Sequence, residues 1–469
     1  MLDPDALDLW QLRRGLLDRR LTARALAERA LEAQRRHAGL RAFVAEDPPR
    51  VLSEAAATDA LLARGEDPGL AAGVPWSAKD LYGVPGYRTH AGCPRPLPER
   101  FDKAGPLVER LLAQGAPCLG KTHTVQFAFG GLGTNPHWPT PLNPWDADVE
   151  RVPGGSSSGA GVSIVAGVAR LALGTDTAGS VRIPAAWTGC TGLKTTAGRW
   201  PTAGIVPLSP TLDTAGVLAR DVADLAFGFA VLDATAGDAQ RLRAEILDPA
   251  PRRFRVGVCE AFFFDGASPG VVEAATGALG ELERRGVIAR RPCALPEAVP
   301  AFELFRSGGP VSAEMAEFLE SELPEFRDTL DRKVAARIEA GAGISAVEYL
   351  ARKRRMHRLE RDAVARCDAF DALATITVAG TPPPIAQVAD DEAYARENLL
   401  ALRNTSVVSY LGLCALTLPA GLDAAGMPVG LQFIGPPFAE ERLLAIAAAA
   451  ERTLGTGRAR LGIPPRIRS

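Results

Sequence analysis

Between Val152 and Ala185 the chain carries two turns built of small residues, "VPGGSSSGAG" and "GTDTAGSVRIPA", separated by the short apolar run "VSIVAGVARLAL". Glycine and serine tolerate tight backbone paths that larger side chains do not. Two such turns so close together limit the chain to folds that bring two loops to one place. One possibility is a phosphate-binding loop. A P-loop needs a GK[ST] ending, and "GGSSSGAG" has no lysine. The dinucleotide pattern G-x-G-x-x-G is absent from both turns as well. What remains is a pair of backbone turns that deliver serines, the second with successive N–H groups able to form an anion-binding concavity.

A sequence of 469 residues holds one large or two ordinary domains. With 53 Lys and Arg against 55 Asp and Glu, its net charge of -2 offers no electrostatic footprint for nucleic acid or an anionic membrane. The 7 cysteines are scattered with no CxxC pair, so neither a disulfide scaffold nor a metal site is expected. The first twenty residues carry charges throughout and lack the apolar core of a secretory leader, and no apolar run is long enough to span a bilayer. A cytoplasmic protein without membrane contact is expected.

Apolar periodicity predicts a helical segment over residues 1–65, illustrated by Ala23, Leu26, Ala27 and Ala30. Strands are expected within Gly73 to Val84, at Pro117 to Gly120 and at Val256 to Val258, with a helix over Gly270 to Arg285. A composition change at Asp248 to Arg253 reads as a junction between core segments. Residues 300–370 read as a charged helical insertion that covers a site. The tail returns to apolar strands, "LCALTLPAG" and "VGLQFIG", before a helix from Glu440 to Leu454. The fold class expected is α/β: a mixed β-sheet core flanked on both faces by α-helices, with residues 66–469 forming one continuous domain.

A serine nucleophile needs a base. The chain has 5 histidines (His37, His90, His123, His137 and His357) and no GxSxG elbow. Lys79, in the apolar "VPWSAKDLYGV", is the other candidate. An exposed lysine, with a pKa of about 10.4, is charged, but burial can lower that value by about 3–5 units and free the amine to accept a proton. Asp80 next to it should face the other side of a strand.

Three blocks in order, "GVPWSAKDLYGV", "GGSSSGAGVSIVAG" with "GTDTAGSVRIPAAWTGCTGLK", and "LTLPAGLDAAGMPVGLQFIG", resemble the amidase signature family of serine hydrolases. The resemblance implies a Ser-cisSer-Lys triad. Ser180 matches the nucleophile, Ser156 the bridging serine behind a cis Gly155–Ser156 peptide bond, and Lys79 the base; the interval of 24 residues between the serines selects Ser156 from its neighbours. It further implies an oxyanion hole from the N–H groups of Thr177, Ala178, Gly179 and Ser180. Ser157 supports the loop or the triad, Asp176 and Arg182 form a bracing ion pair, and Cys190 is a packed thiol.

The expected activity is hydrolysis of a small carboxamide or urea-type amide through a Ser180 acyl-enzyme, with no cofactor or metal and in a homodimer. Two alternatives stand beside it: the glutaminase component of a tRNA-dependent amidotransferase, and a binding homologue without catalysis. Departures from the family pattern fall at Ala178, at Trp76, and at His123, Thr124 and Gln126 in a segment expected to border the acyl pocket.

Overall fold

A computed structural model of the protein describes residues 3–235, 237–249 and 252–468. Its centre is an 11-stranded sheet. In chain order the strands are β1 (Phe43–Ala45), β2 (Trp76–Lys79), β3 (Cys118–Thr122), β4 (Leu171–Thr175), β5 (Thr191–Lys194), β6 (Ala215–Ala219), β7 (Phe254–Val258), β8 (Ile288–Pro292), β9 (Ala372–Ile376), β10 (Cys414–Leu422) and β11 (Pro428–Gly435). In space they run β1-β3-β2-β4-β6-β5-β10-β11-β9-β7-β8. β2 lies parallel to both β3 and β4, and β7 parallel to both β8 and β9; the other pairs are antiparallel. The sheet is therefore mixed, as expected.

β2, β3, β4, β5 and β6 are buried along their whole length, which follows from helices on both faces. Helices Ser158–Val165 and Arg182–Thr188 pack on each other and on one side; Val222–Leu232, Val271–Arg284 and Glu440–Leu454 cover the other. The last of these buries Leu443, Leu444, Ala447 and Leu454, a helical stripe, and stops at Gly455 in the left-handed region, φ 87°.

The stretch 1–65 contains the helices Leu9–Leu17, Ala23–Arg36 and Pro48–Ala63. It is not helical throughout, because β1 lies inside it and pairs antiparallel with β3 at the edge of the sheet. Three residues are too few for an alternation to show in sequence. The junction expected at 248–253 includes residues 250 and 251, which lie outside the described residues. The charged stretch 300–370 forms helices Val311–Glu322, Arg332–Ala342 and Ala346–Cys367. Gln126 ties it to the sheet domain, its Nε2 donating to Thr329 O at 2.9 Å and its Oε1 accepting from Asp331 N at 2.8 Å.

Candidate active site

Because β2 and β4 are parallel neighbours, their C-terminal ends lie on one edge of the sheet, where Lys79 closes β2 and Thr175 closes β4. Lys79 Nζ donates to Ser156 Oγ and to Thr175 Oγ1, both at 2.7 Å. The lysine is wholly buried. Burial pushes its pKa down to about 7, against the opposing pull of the Asp213 and Asp176 carboxylates. Asp80, one residue on, pairs instead with buried Lys121 at 3.0 Å.

The two small-residue turns meet. Ser157 N donates to Ser180 O at 3.2 Å, and Gly155 N to Gly131 O at 2.7 Å, so the first turn is pinned between the second and the 131–133 segment. The Gly155–Ser156 peptide bond is cis. Ser156 is fully buried beside Lys79, whereas Ser180 stands at the wall of a cavity of about 570 Å³. Ser157 Oγ donates to Thr175 O at 3.4 Å, and Ser158 Oγ to His123 O at 3.1 Å, so both hydroxyls brace the loop.

The second turn is organised by Asp176. Its carboxylate accepts from Gly179 N (2.6 Å), Val181 N (3.2 Å) and Arg182 Nε (2.9 Å), and a further bond joins Arg182 Nη2 to its other oxygen (2.8 Å). Arg182 extends this network to Gln432 on β11 (2.7 Å) and Ser409 (2.9 Å). The Asp176–Arg182 pair is thus a brace with no exposed surface, and the guanidinium contributes to holding the Asp176 pKa below the ordinary carboxylate value despite burial.

One oxyanion donor needs correction: the Gly179 N–H is spent on Asp176. Among the described residues the N–H groups of Thr177, Ala178 and Ser180 have no acceptor, and all three residues line the cavity. Ala178 keeps a negative φ, so its methyl is tolerated there. Gly179 is different. Its φ is 138°, and a Cβ would lie 2.1 Å from Thr405 Oγ1.

Two site residues carry no signal of their own in the sequence. Thr175 precedes Asp176 and is placed by the β2–β4 pairing. Asp213 is half-buried and accepts from Thr177 Oγ1 at 2.6 Å and from Leu208 N and Ser209 N at 2.8 and 3.0 Å; desolvation raises its pKa to about 6. Residues 208 and 213 are ordinary in sequence and acquire meaning only in three dimensions.

His123, Thr124, Gln126 and Trp76 do not line the cavity; from that segment Ala128, Phe129 and Gly130 do. Burial lowers the His123 pKa to about 3, leaving a neutral ring bonded through Nδ1 to Ser158 Oγ at 2.7 Å. Trp76 is a core residue whose Nε1 donates to Ala116 O at 3.0 Å. Cys190 is buried with its thiol pKa pushed up to about 12, a packed group.

Comparison with known proteins gives one consistent picture. The family model for amidases matches residues 24–444. The chain is 49% identical to a 2-amino-5-chloromuconic acid deaminase of Comamonas testosteroni, over 95% of this chain and 96% of the relative. It is 34% identical to a mandelamide hydrolase of Pseudomonas putida, over 94% of this chain and 90% of the relative. A crystal structure of an amidase superposes with a TM-score of 0.84 at 32% identity, covering 96% of this chain and all of the other.

Proposed function

Since the chain belongs to the amidase family of hydrolases, we propose that it cleaves the C–N bond of a small amide through a covalent acyl-Ser180 intermediate, with Ser156 and Lys79 as the proton relay. The observation that carries this reading is the buried Lys79 amine, 2.7 Å from Ser156 Oγ and with a pKa of about 7. A neutral amine can keep one N–H on Thr175 Oγ1 and turn its lone pair towards the Ser156 hydroxyl. Lys79 accepts the Ser156 proton as Ser156 accepts that of Ser180, and Ser180 Oγ adds to the carbonyl carbon.

The negative charge that develops on the carbonyl oxygen is met by the Ala178 and Ser180 N–H groups, with Thr177 adjoining. When the tetrahedral adduct collapses, the relay returns a proton to the departing nitrogen and the C–N bond breaks, leaving ammonia or an amine and the acyl ester. Water attacks that ester with the same relay as base, releasing the acid and restoring Ser180. No step calls for a metal or cofactor. The protein is proposed to work in the cytoplasm as a homodimer.

The 49% relative supports a second reading, in which the nitrogen removed is the amino group of an unsaturated amino acid. Ammonia leaves in this reading, and in the first whenever the amide is primary. A glutaminase within a tRNA-dependent amidotransferase needs other chains for its role, so ammonia release from simple amides by the protein alone separates that alternative from the primary reading. Labelling by a fluorophosphonate tests the nucleophile and the inactive-homologue alternative together. Covalent modification that disappears in Ser180→Ala is expected; labelling unaffected by that substitution overturns the assignment.

A further inference from the structure

β7 and β8 run parallel at one edge of the sheet, paired from Phe254 with Ile288 to Val258 with Pro292. One step further along that register stand Cys259 and Cys293, and the ladder continues there, with Cys293 N donating to Val258 O at 3.0 Å. Successive residues of a strand alternate in direction, so Cys259 shares the face of Gly257. Cys293 lies on that face too: a Cβ on Gly257 would sit 3.0 Å from the Cys293 Cβ. Residues opposite one another on adjacent strands are about 4.8 Å apart, within the range of about 4.4–6.8 Å that a disulfide needs between its Cα atoms.

The two thiols differ in access. All seven cysteines lie among the described residues, and Cys293 is the one that is not buried. It opens on a groove of about 650 Å³ between segment 292–297 and the end of helix Ala346–Cys367, where Arg366 is held by Glu297 at 2.8 Å. Cys259 is buried and does not reach the groove. Donation from the Cys259 thiol holds the Cys293 pKa below the ordinary thiol value, against burial, and the Arg366 charge adds to the effect. The same contact, with burial, pushes the Cys259 pKa well up. The proton of the pair therefore stays on the inner sulfur, and the outer one carries thiolate character. Burial pushes the pKa of Cys93, Cys118, Cys190 and Cys414 up to about 12 and that of Cys367 up to about 11. Cys367 is a third thiol in the neighbourhood, but its own proton is directed to the Ala363 carbonyl at 3.5 Å. Thiolate character and access, the two requirements for oxidation by a peroxide, coincide at Cys293.

We propose that Cys293 and Cys259 form a peroxide-sensitive pair, oxidised by a hydroperoxide to an intramolecular disulfide and reopened by thiols. The Cys293 thiolate attacks one oxygen of the hydroperoxide ROOH; an S–O bond forms, the O–O bond breaks, and RO⁻ leaves and takes a proton from water. Cys293 is then a sulfenic acid. The Cys259 sulfur displaces the hydroxyl, so that the S–S bond forms as the S–O bond breaks, and the Cys259 proton departs with the hydroxyl as water. The pair has lost two electrons, which the peroxide has gained. The bridge fastens two segments already in contact, since the Phe262 ring beyond Cys259 packs on the Phe302 ring beyond Cys293 with centroids 5.5 Å apart.

The test is made on the full chain in neutral solution. Wild-type protein is treated with hydrogen peroxide and unfolded in N-ethylmaleimide, and its peptides are mapped by mass spectrometry without reduction. A peptide linking Cys259 to Cys293, removed by dithiothreitol, is expected, with two of the seven thiols lost. Cys259→Ser should leave Cys293 as a sulfenic acid that dimedone traps. Cys293→Ser should slow thiol loss about tenfold or more, and Cys367→Ser should leave the linked peptide unchanged. Thiol loss at the wild-type rate in Cys293→Ser, a bridge through Cys367, or no linked peptide in the wild-type protein overturns the proposal. The last of these readouts needs no substitution, so it holds even where a variant fails to fold.

Discussion

Lys79 is an amine held where its charge is disfavoured, and that has consequences for both rate and stability. Replacing Lys79 by Ala should lower turnover by several orders of magnitude while circular dichroism stays native; an unchanged rate would remove the lysine as base. In the wild-type protein kcat/KM should fall about tenfold per pH unit below about pH 7, as the amine becomes protonated. Asp213 opposes the effect of burial on Lys79, so Asp213→Asn should move that acid limb to lower pH. A limb that stays in place would mean that Asp213 acts only through its bond to Thr177. Stability has the opposite sense from a paired lysine. The folded pKa lies below the unfolded value, so the unfolded chain binds more protons between about pH 7 and 10.5, and folding is penalised increasingly as pH falls through that window. Lys79→Met should therefore raise the melting temperature at pH 7 and raise it less at pH 10, a comparison that thermal melts provide.

At the scale of elements, the helix Arg332–Ala342 depends on a few bonds at its start. Asp331 caps it by accepting from Lys333 N at 3.3 Å, and Gln126 holds the Thr329–Asp331 turn. Gln126→Ala should loosen this helix by about 1–2 kcal/mol, seen as faster amide hydrogen exchange over 324–342 with β2 and β4 unaffected. Uniform exchange across the chain would show that the tie is not local. What can be read from sequence follows from the same distinction between local and remote. The glycine-serine turns, the β10–β11 repeat of apolar residues and the Glu440–Leu454 stripe are written in consecutive residues, so their form is legible. β1 is not, because three residues carry no period, and its place at the sheet edge comes from β3. Asp213 and Thr175 are silent in sequence since their partners lie 36 and 96 residues away. The commitment of the Gly179 N–H to Asp176 spans three residues, yet it depends on a side-chain rotamer that no pattern encodes.

For the whole molecule, the decisive feature is the position of β10 and β11 in the sheet. They are last in chain order but stand between β5 and β9, joining the strands β1 to β6 to the group β7 to β9. A chain cut before residue 414 would leave two further open edges, at β5 and β9 in the centre of the sheet. Such a truncation should fail to give a soluble, cooperatively folding protein, as judged by sedimentation and thermal melting; a monomeric 1–410 fragment with native circular dichroism would contradict a single continuous domain. Sequence-distant pairing of this kind also makes for slow folding.

The Arg182 link to Gln432 extends that dependence to chemistry. The turn that carries Ser180 is fastened through Arg182 to a residue 250 positions further along the chain. A chain still lacking β11 therefore lacks that fastening, and on the proposed Ser180 mechanism it should be inert towards amides until this strand is in place.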